Sequence, residues 1–70
     1  MTIVMPSTVI SYFFYNVESA ILTVVFVSGK VYQYKNVPES VYLAMKKSIS
    51  KGSFLNTQIK GVYDFEKLKD

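Results

Sequence analysis

Two groups of residues in this chain have the types and spacing to contact a ligand. One is Ser50-Lys51-Gly52-Ser53, followed by Asn56, Lys60 and Tyr63; the other is the upstream pair Tyr32-x-Tyr34. The first group combines hydroxyls, a pliable glycine backbone and a lysine where a helix can start. The unpaired N–H groups and positive potential of a helix start favour anions. Asn56 and Lys60 stand four residues apart and share a helix face with that turn. Ser50, Lys51, Gly52, Asn56 and Lys60 are therefore expected to form one polar patch suited to phosphate oxygens, with Tyr63 at its border. The same turn also reads as a plain helix cap between two helices. It is not a P-loop, because the six-residue glycine spacing is absent and no strand precedes it.

The Tyr-x-Tyr pair also has two readings. Tyr32 and Tyr34 can be core aromatics whose hydroxyls reach a polar partner. Alternatively they can offer ring faces for bases to stack on, which needs an open sheet face. Tyr34 is kept with the ligand-binding candidates on the second reading. The run Tyr12-Phe13-Phe14-Tyr15 is different in kind. On a strand these side chains alternate between faces, so two of the four leave the core side. Tyr12 and Phe14 are the candidates for an interface, by edge pairing or by face packing.

Other chemistry is excluded by composition. The 70 residues include no Cys and no His, so disulfides, zinc sites built on those ligands and a Ser-His-Asp triad are ruled out. The carboxylates Glu18, Glu39, Asp64, Glu66 and Asp70 follow no metal-ligand pattern, so no metal and no cofactor is expected. Catalysis is not expected either. The net charge is +3, carried by eight lysines and no arginine. That balance suits a solvated surface or a face for phosphates, but the bidentate reading of phosphate or guanine for which arginine is preferred is not available. Residues 1–17 carry no charge but lack the basic start of a signal peptide. Pro6, Ser7, Thr8, Ser11 and Asn16 make the segment too polar to span a bilayer. A cytoplasmic protein with no membrane association is expected.

The elements that position these residues follow from their patterning. A chain of this length makes one domain, here residues 1–70, and buries only about 60% of its unfolded surface. Half of the residues are apolar and 16% are aromatic, a heavy load for so small a body. Part of it is expected at an interface, with a homo-oligomer as one outcome. Residues 1–6 form an arm ending at Pro6. Val9 to Tyr15, Ile21 to Val27 and Val31 to Lys35 read as strands, with a turn at Asn16-Val17-Glu18-Ser19.

Two registers are open to the second hairpin, and a one-residue slip between them moves every side chain to the other face. A three-residue loop with Gly29 in a left-handed bulge pairs Val24 with Tyr32 and Leu22 with Tyr34. This register gathers Leu22, Val24, Phe26, Tyr32 and Tyr34 on one face and is preferred. It leaves Thr23, Val25, Gln33 and Lys35 on an opposite face with little aromatic surface. Val37-Pro38-Glu39 opens a helix, with Glu39 at its positive end and Lys46 and Lys47 at its negative end. Val41, Tyr42, Met45 and Ile49 share the face expected on the sheet. Ser50 or Ser53 caps a second short helix that runs to about Lys60 and stops at Gly61. Phe54, Leu55 and Ile59 pack it. Tyr63 to Phe65 is a short strand or an extended run, and residues 66–70 form a tail. The expected fold is α+β: a three-stranded antiparallel meander followed by two short helices packed on one face.

These residues resemble the KTSC domain family, named for the C-terminal extension of some lysyl-tRNA synthetases. The resemblance runs from about Ser7 to Leu68. It rests on Leu22-x-Val24-x-Phe26-x-Ser28-Gly29, Tyr32-x-Tyr34, and Val37-Pro38 followed by Tyr42. Ser50-x-Gly52, Phe54, Asn56, Ile59-Lys60 and Tyr63 extend it. No single piece is specific, but their order and spacing are. Phe14 stands where the family usually has a small residue, and Ser48 where it usually has Ala. The resemblance implies a stand-alone, non-catalytic domain of bacteria and their phages, for which RNA binding has been suggested by association with the synthetase.

Three roles follow from these features. The first is a module that binds RNA or another phosphate-bearing nucleotide through the Lys/Ser/Asn patch. The second is a small phage-type homo-oligomer that sequesters a nucleotide-derived signalling molecule at a subunit interface. The third is an adaptor that holds a protein partner through the strand-one aromatics.

Overall fold

The structure, a computed structural model, describes residues 10–69. The arm expected over residues 1–6, the strand residue Val9 and the tail residue Asp70 lie outside the described residues. Strand β1 (Ile10–Asn16), β2 (Ile21–Phe26) and β3 (Val31–Tyr34) form an antiparallel meander. Helix α1 (Glu39–Lys47) follows, then α2 (Lys51–Phe54). Helix α2 continues as a single wider turn over Leu55–Ile59, before a last strand, β4 (Phe65–Lys69). The sheet has four strands in the order β1-β2-β3-β4.

The fourth strand corrects the expectation of three strands and a tail over residues 66–70. Lys35 N–H donates to the Asp64 carbonyl at 2.8 Å, and from there β4 runs antiparallel to β3. Phe65 stands opposite Tyr34 and Lys67 opposite Tyr32. The Phe65 ring lies 5.2 Å from that of Tyr32 and 5.6 Å from that of Tyr34. Aromatic contact across the strands thus anchors a segment in which Glu66, Lys67 and Lys69 are charged.

The β2–β3 register is the one the patterning favoured. Leu22 faces Tyr34 and Val24 faces Tyr32. Gly29, at φ +98°, donates its N–H to the Phe26 carbonyl at 2.9 Å, and Phe26 N–H donates to the Lys30 carbonyl at 2.9 Å. A positive φ is open to glycine at no steric cost, so Gly29 fixes the loop and the loop fixes the register. In the first hairpin Asn16 Oδ1 accepts from the N–H groups of Glu18 and Ser19, at 2.9 and 3.2 Å. A side chain imitating a turn carbonyl is the usual role of asparagine there.

The helices cover one sheet face, and the core lies between the two layers. Leu22, Val24, Tyr34, Val37, Met45, Leu55 and Ile59 are buried there, with Ile10 at the edge. Burying each aliphatic side chain of this kind is worth about 1.5–3 kcal/mol. Tyr15 ties the layers together. Its ring stacks on Tyr42 of α1 at 4.9 Å, and its hydroxyl donates to the Val37 carbonyl at 2.6 Å.

Two expectations for the helices change. Pro38 takes the cap position, and α1 stops at Lys47 because Ser48 turns extended at ψ 149°. Both the N–H and the hydroxyl of Ser48 donate to the Met45 carbonyl, at 3.1 and 2.9 Å. Ile49, expected on the buried face with Val41, Tyr42 and Met45, is therefore outside the helix and 100% exposed. Beyond α2, Lys60 N–H reaches back five residues to the Leu55 carbonyl at 2.8 Å. The Thr57 hydroxyl donates to the Ser53 carbonyl at 3.0 Å, a side-chain bond that competes with the helical ladder. Gly61 then ends the helix at φ +78°, as expected.

Candidate functional site

The residues expected to form one polar patch are divided by the fold. Ser50 caps α2: its Oγ accepts from Ser53 N–H at 3.2 Å, so a donor that an anion would use is already engaged. Lys51 donates from Nζ to the Ser48 carbonyl at 2.8 Å and lines a groove of about 260 Å³ with Ile10, Ser11, Tyr12, Phe13 and Ile49. Gly52 is buried beneath the turn. Asn56 and Lys60 are exposed on the widened turn, but Lys60 borders a different cavity from Lys51. Tyr63 is half-buried against the core and lines a shallow surface with Gly61, Val62, Asp64 and Phe65.

Tyr34 belongs to the core and not to a ligand-facing surface. It is 1% exposed, and burial together with the neighbouring Tyr32 pushes its hydroxyl up to about 12. It stays neutral through the physiological range.

Aromatic rings, hydroxyl and ammonium groups do converge, at the loop end of the β2–β3 hairpin. Phe26, Ser28, Lys30, Tyr32 and Lys60 line a cleft of about 220 Å³. The Phe26 and Tyr32 rings meet edge to face at 5.5 Å, and Phe65 stacks on Tyr32 at an interplanar angle of 13°. The Lys67 ammonium stands 6.0 Å from the Tyr32 ring centre. Each position follows from local structure. The Gly29 bulge sets Phe26 and Tyr32 on the same face and brings Lys30 beside Phe26. The five-residue turn delivers Lys60 from the helical layer. Strand β4 contributes Phe65 and Lys67. The lining has no carboxylate, so the cleft combines an aromatic floor with positive charge. Such a surface accepts a planar ring with a phosphate beside it.

Lys60 and Tyr32, the latter on its ring-stacking reading, are the residues of this cleft among the sequence candidates. Phe26, Ser28, Lys30, Phe65 and Lys67 were missed. The preferred register already carried the signal for part of it: extended by two residues past Val24 and Tyr32, it sets Lys30 against Phe26 at the loop.

The sheet face away from the helices holds the two strand-one candidates. Tyr12 and Phe14 stand there, 57% and 51% exposed, with rings stacked at 6.2 Å. They pair with Val25 and Thr23 of β2, and Thr23 is only 5% exposed beside them. This face therefore carries more aromatic surface than the pattern of β2 and β3 suggested. No group of carboxylates suited to a metal ion occurs among the described residues, and no helix among them is long and apolar enough to cross a membrane.

Comparison with known proteins places this geometry. Residues 6–63 match the model of the KTSC domain. The chain belongs to the KTSC domain family. It is 43% identical over 61 residues to a lysine–tRNA ligase from Nostoc punctiforme, a match spanning 87% of this chain and 11% of the ligase. The chain thus spans about a tenth of the length of that relative. The crystal structure of a KTSC domain protein from Yersinia pestis superposes with a TM-score of 0.79 at 32% identity, over 84% of this chain and 83% of the other. Of the two departures from the family pattern, Phe14 lies on the exposed sheet face and Ser48 ends α1. The first changes the surface of this KTSC domain and leaves its core alone.

Proposed function

We propose that this KTSC domain is a non-catalytic module that binds single-stranded RNA in the cleft at the β2–β3 hairpin. The observation that carries the reading is the Phe26–Tyr32–Phe65 aromatic row flanked by Lys30, Lys60 and Lys67. A base stacks on an aromatic side chain for about 1–3 kcal/mol, whatever its identity. Lysines beside the rings meet the neighbouring phosphates as point charges. With no arginine in the chain, binding is expected to tolerate many sequences. The likeness to a lysine–tRNA ligase, whose name describes an enzyme acting on a tRNA, supports RNA as the ligand.

Size favours a strand over capture of a small molecule. Pockets that enclose small molecules run to about 300–1,000 Å³. The cleft, at about 220 Å³, suits one base of a chain that continues past it. The test is titration of a labelled single-stranded RNA against three variants. Lys30→Ala and Lys60→Ala are expected to weaken binding several-fold. Lys51→Ala, which borders the other groove, should leave it unchanged. Equal losses in all three would point to diffuse attraction by net charge and remove the cleft from the reading.

A further inference from the structure

Edge strands expose a row of backbone donors and acceptors, and proteins that stay monomeric blunt them with charge, proline or bulges. The two edges of this sheet are treated differently. Strand β4 carries charge along its length, with Glu66, Lys67 and Lys69, and Glu66 pairs with Lys35 at 3.6 Å. Strand β1, Ile-Ser-Tyr-Phe-Phe-Tyr-Asn, has no charge and no proline. Its one bulge lies at Ser11, between Ile10 and Tyr12, so the run from Tyr12 to Asn16 is regular. Among the described residues β2 is its one neighbour. A groove runs along this edge, lined by the consecutive residues Ile10, Ser11, Tyr12 and Phe13 and closed on its far side by the fully exposed Ile49 and by Lys51, whose ammonium donates to the Ser48 carbonyl at 2.8 Å.

We infer that β1 pairs antiparallel with β1 of a second copy of the chain, joining two four-stranded sheets into one of eight. Charge selects the occupant. Antiparallel self-pairing about a two-fold axis brings each strand against itself, and any charge near the axis meets its own kind. No residue of β1 is charged, and Lys51, which lines the groove beside it, is held by the Ser48 carbonyl and belongs to the helical layer. A two-fold axis near the strand centre sets the exposed, stacked Tyr12 and Phe14 beside the same pair from the other copy, on the sheet face that none of the described helices covers. Aromatic pairs across strands are among the contacts that stabilise sheets. Ile49 then borders the distal end of the second strand, which gives its exposed side chain an apolar neighbour. The RNA cleft is at the hairpin, on residues of β2, β3 and the widened turn, so pairing at β1 leaves it open.

The experiment is native mass spectrometry and sedimentation equilibrium of the wild type and of two variants, Tyr12→Lys/Phe14→Lys and Tyr12→Glu/Phe14→Glu. The wild type is expected at twice its 8.0 kDa chain mass. Each variant alone is expected as a monomer, because both positions are exposed and like charges meet at the axis. Mixed in equal amounts, the two should recover a heterodimer, which also shows that both are folded. Amide exchange in β1 should slow with rising protein concentration, as edge pairing requires and face packing does not. A wild type that stays monomeric at its highest soluble concentration overturns the inference and leaves the edge to a foreign strand. Variants that both stay dimeric, or a dimer whose β1 amides exchange as fast as in dilute protein, overturn it too.

Discussion

Replacing Tyr15 with Phe removes one hydroxyl and leaves the rest of the side chain in place. The stacking of the ring on Tyr42 at 4.9 Å survives the change. What is lost is the donor to the Val37 carbonyl, held at 2.6 Å, and Val37 is completely buried. The Val37 N–H is committed elsewhere, donating to the Ala20 carbonyl at 2.9 Å, so it gives the orphaned carbonyl no relief. A hydrogen bond of this kind contributes about 0.5–1.5 kcal/mol net, and leaving a buried partner unmet costs about 1–3 kcal/mol. A loss of about 1.5 kcal/mol is expected, which for a domain of this size lowers Tm by about 6–12 °C. Urea unfolding gives the same quantity as a fall in midpoint at unchanged slope. A midpoint that does not move would mean that water replaces the phenol at no cost. Tyr15 would then not be the tie between β1 and the start of α1.

Gly29→Ala should cost about 1–2 kcal/mol purely through backbone conformation, since a Cβ built there meets no atom within 4 Å and the strain lies in φ +98°; thermal melts check it, and an unchanged Tm would mean the loop adopts another register. Stability should also fall at alkaline pH because of Tyr34. Its folded value of about 12 lies above the ordinary 10, so the unfolded chain loses the proton first. The contribution is whole below about pH 10 and is lost as pH rises to about 12, amounting to roughly 1–3 kcal/mol. Tyr34→Phe should flatten that part of the pH profile, and an unchanged profile would assign the alkaline loss to other groups.

How far the sequence could be read depended on whether a signal was local. Gly29 serves either hairpin geometry, but Leu22, Val24, Phe26, Tyr32 and Tyr34 agree on a face in only one of them, so the central register was legible. Strand β4 was not, because Glu66, Lys67 and Lys69 give it the look of a solvated tail. Those charges suit an edge strand, and the aromatic contacts of Phe65 that fix it are tertiary. Ile49 continues the helical spacing of Val41 and Met45, but Ser48 folds back on the Met45 carbonyl and ends the helix first. In the proposed cleft, Lys60 and Tyr32 stood out in the sequence by residue type, whereas Phe26, Ser28 and Lys30 did not. The patch around Lys51 assumed one uniform helix, whereas the wider turn at Leu55–Ile59 carries Lys60 away to the hairpin. Tyr12 and Phe14 were placed correctly on the open face by strand alternation alone.

The most direct test of the RNA cleft is the salt dependence of binding to a short single-stranded RNA. The affinity of the wild type should fall linearly on logarithmic axes as salt rises. Each phosphate contact on a single strand contributes about 0.7 to that slope, so Lys30→Ala/Lys60→Ala should reduce it by about 1.4. Parallel lines for the two proteins, or a wild-type affinity indifferent to salt, would contradict the assignment of this cleft to RNA.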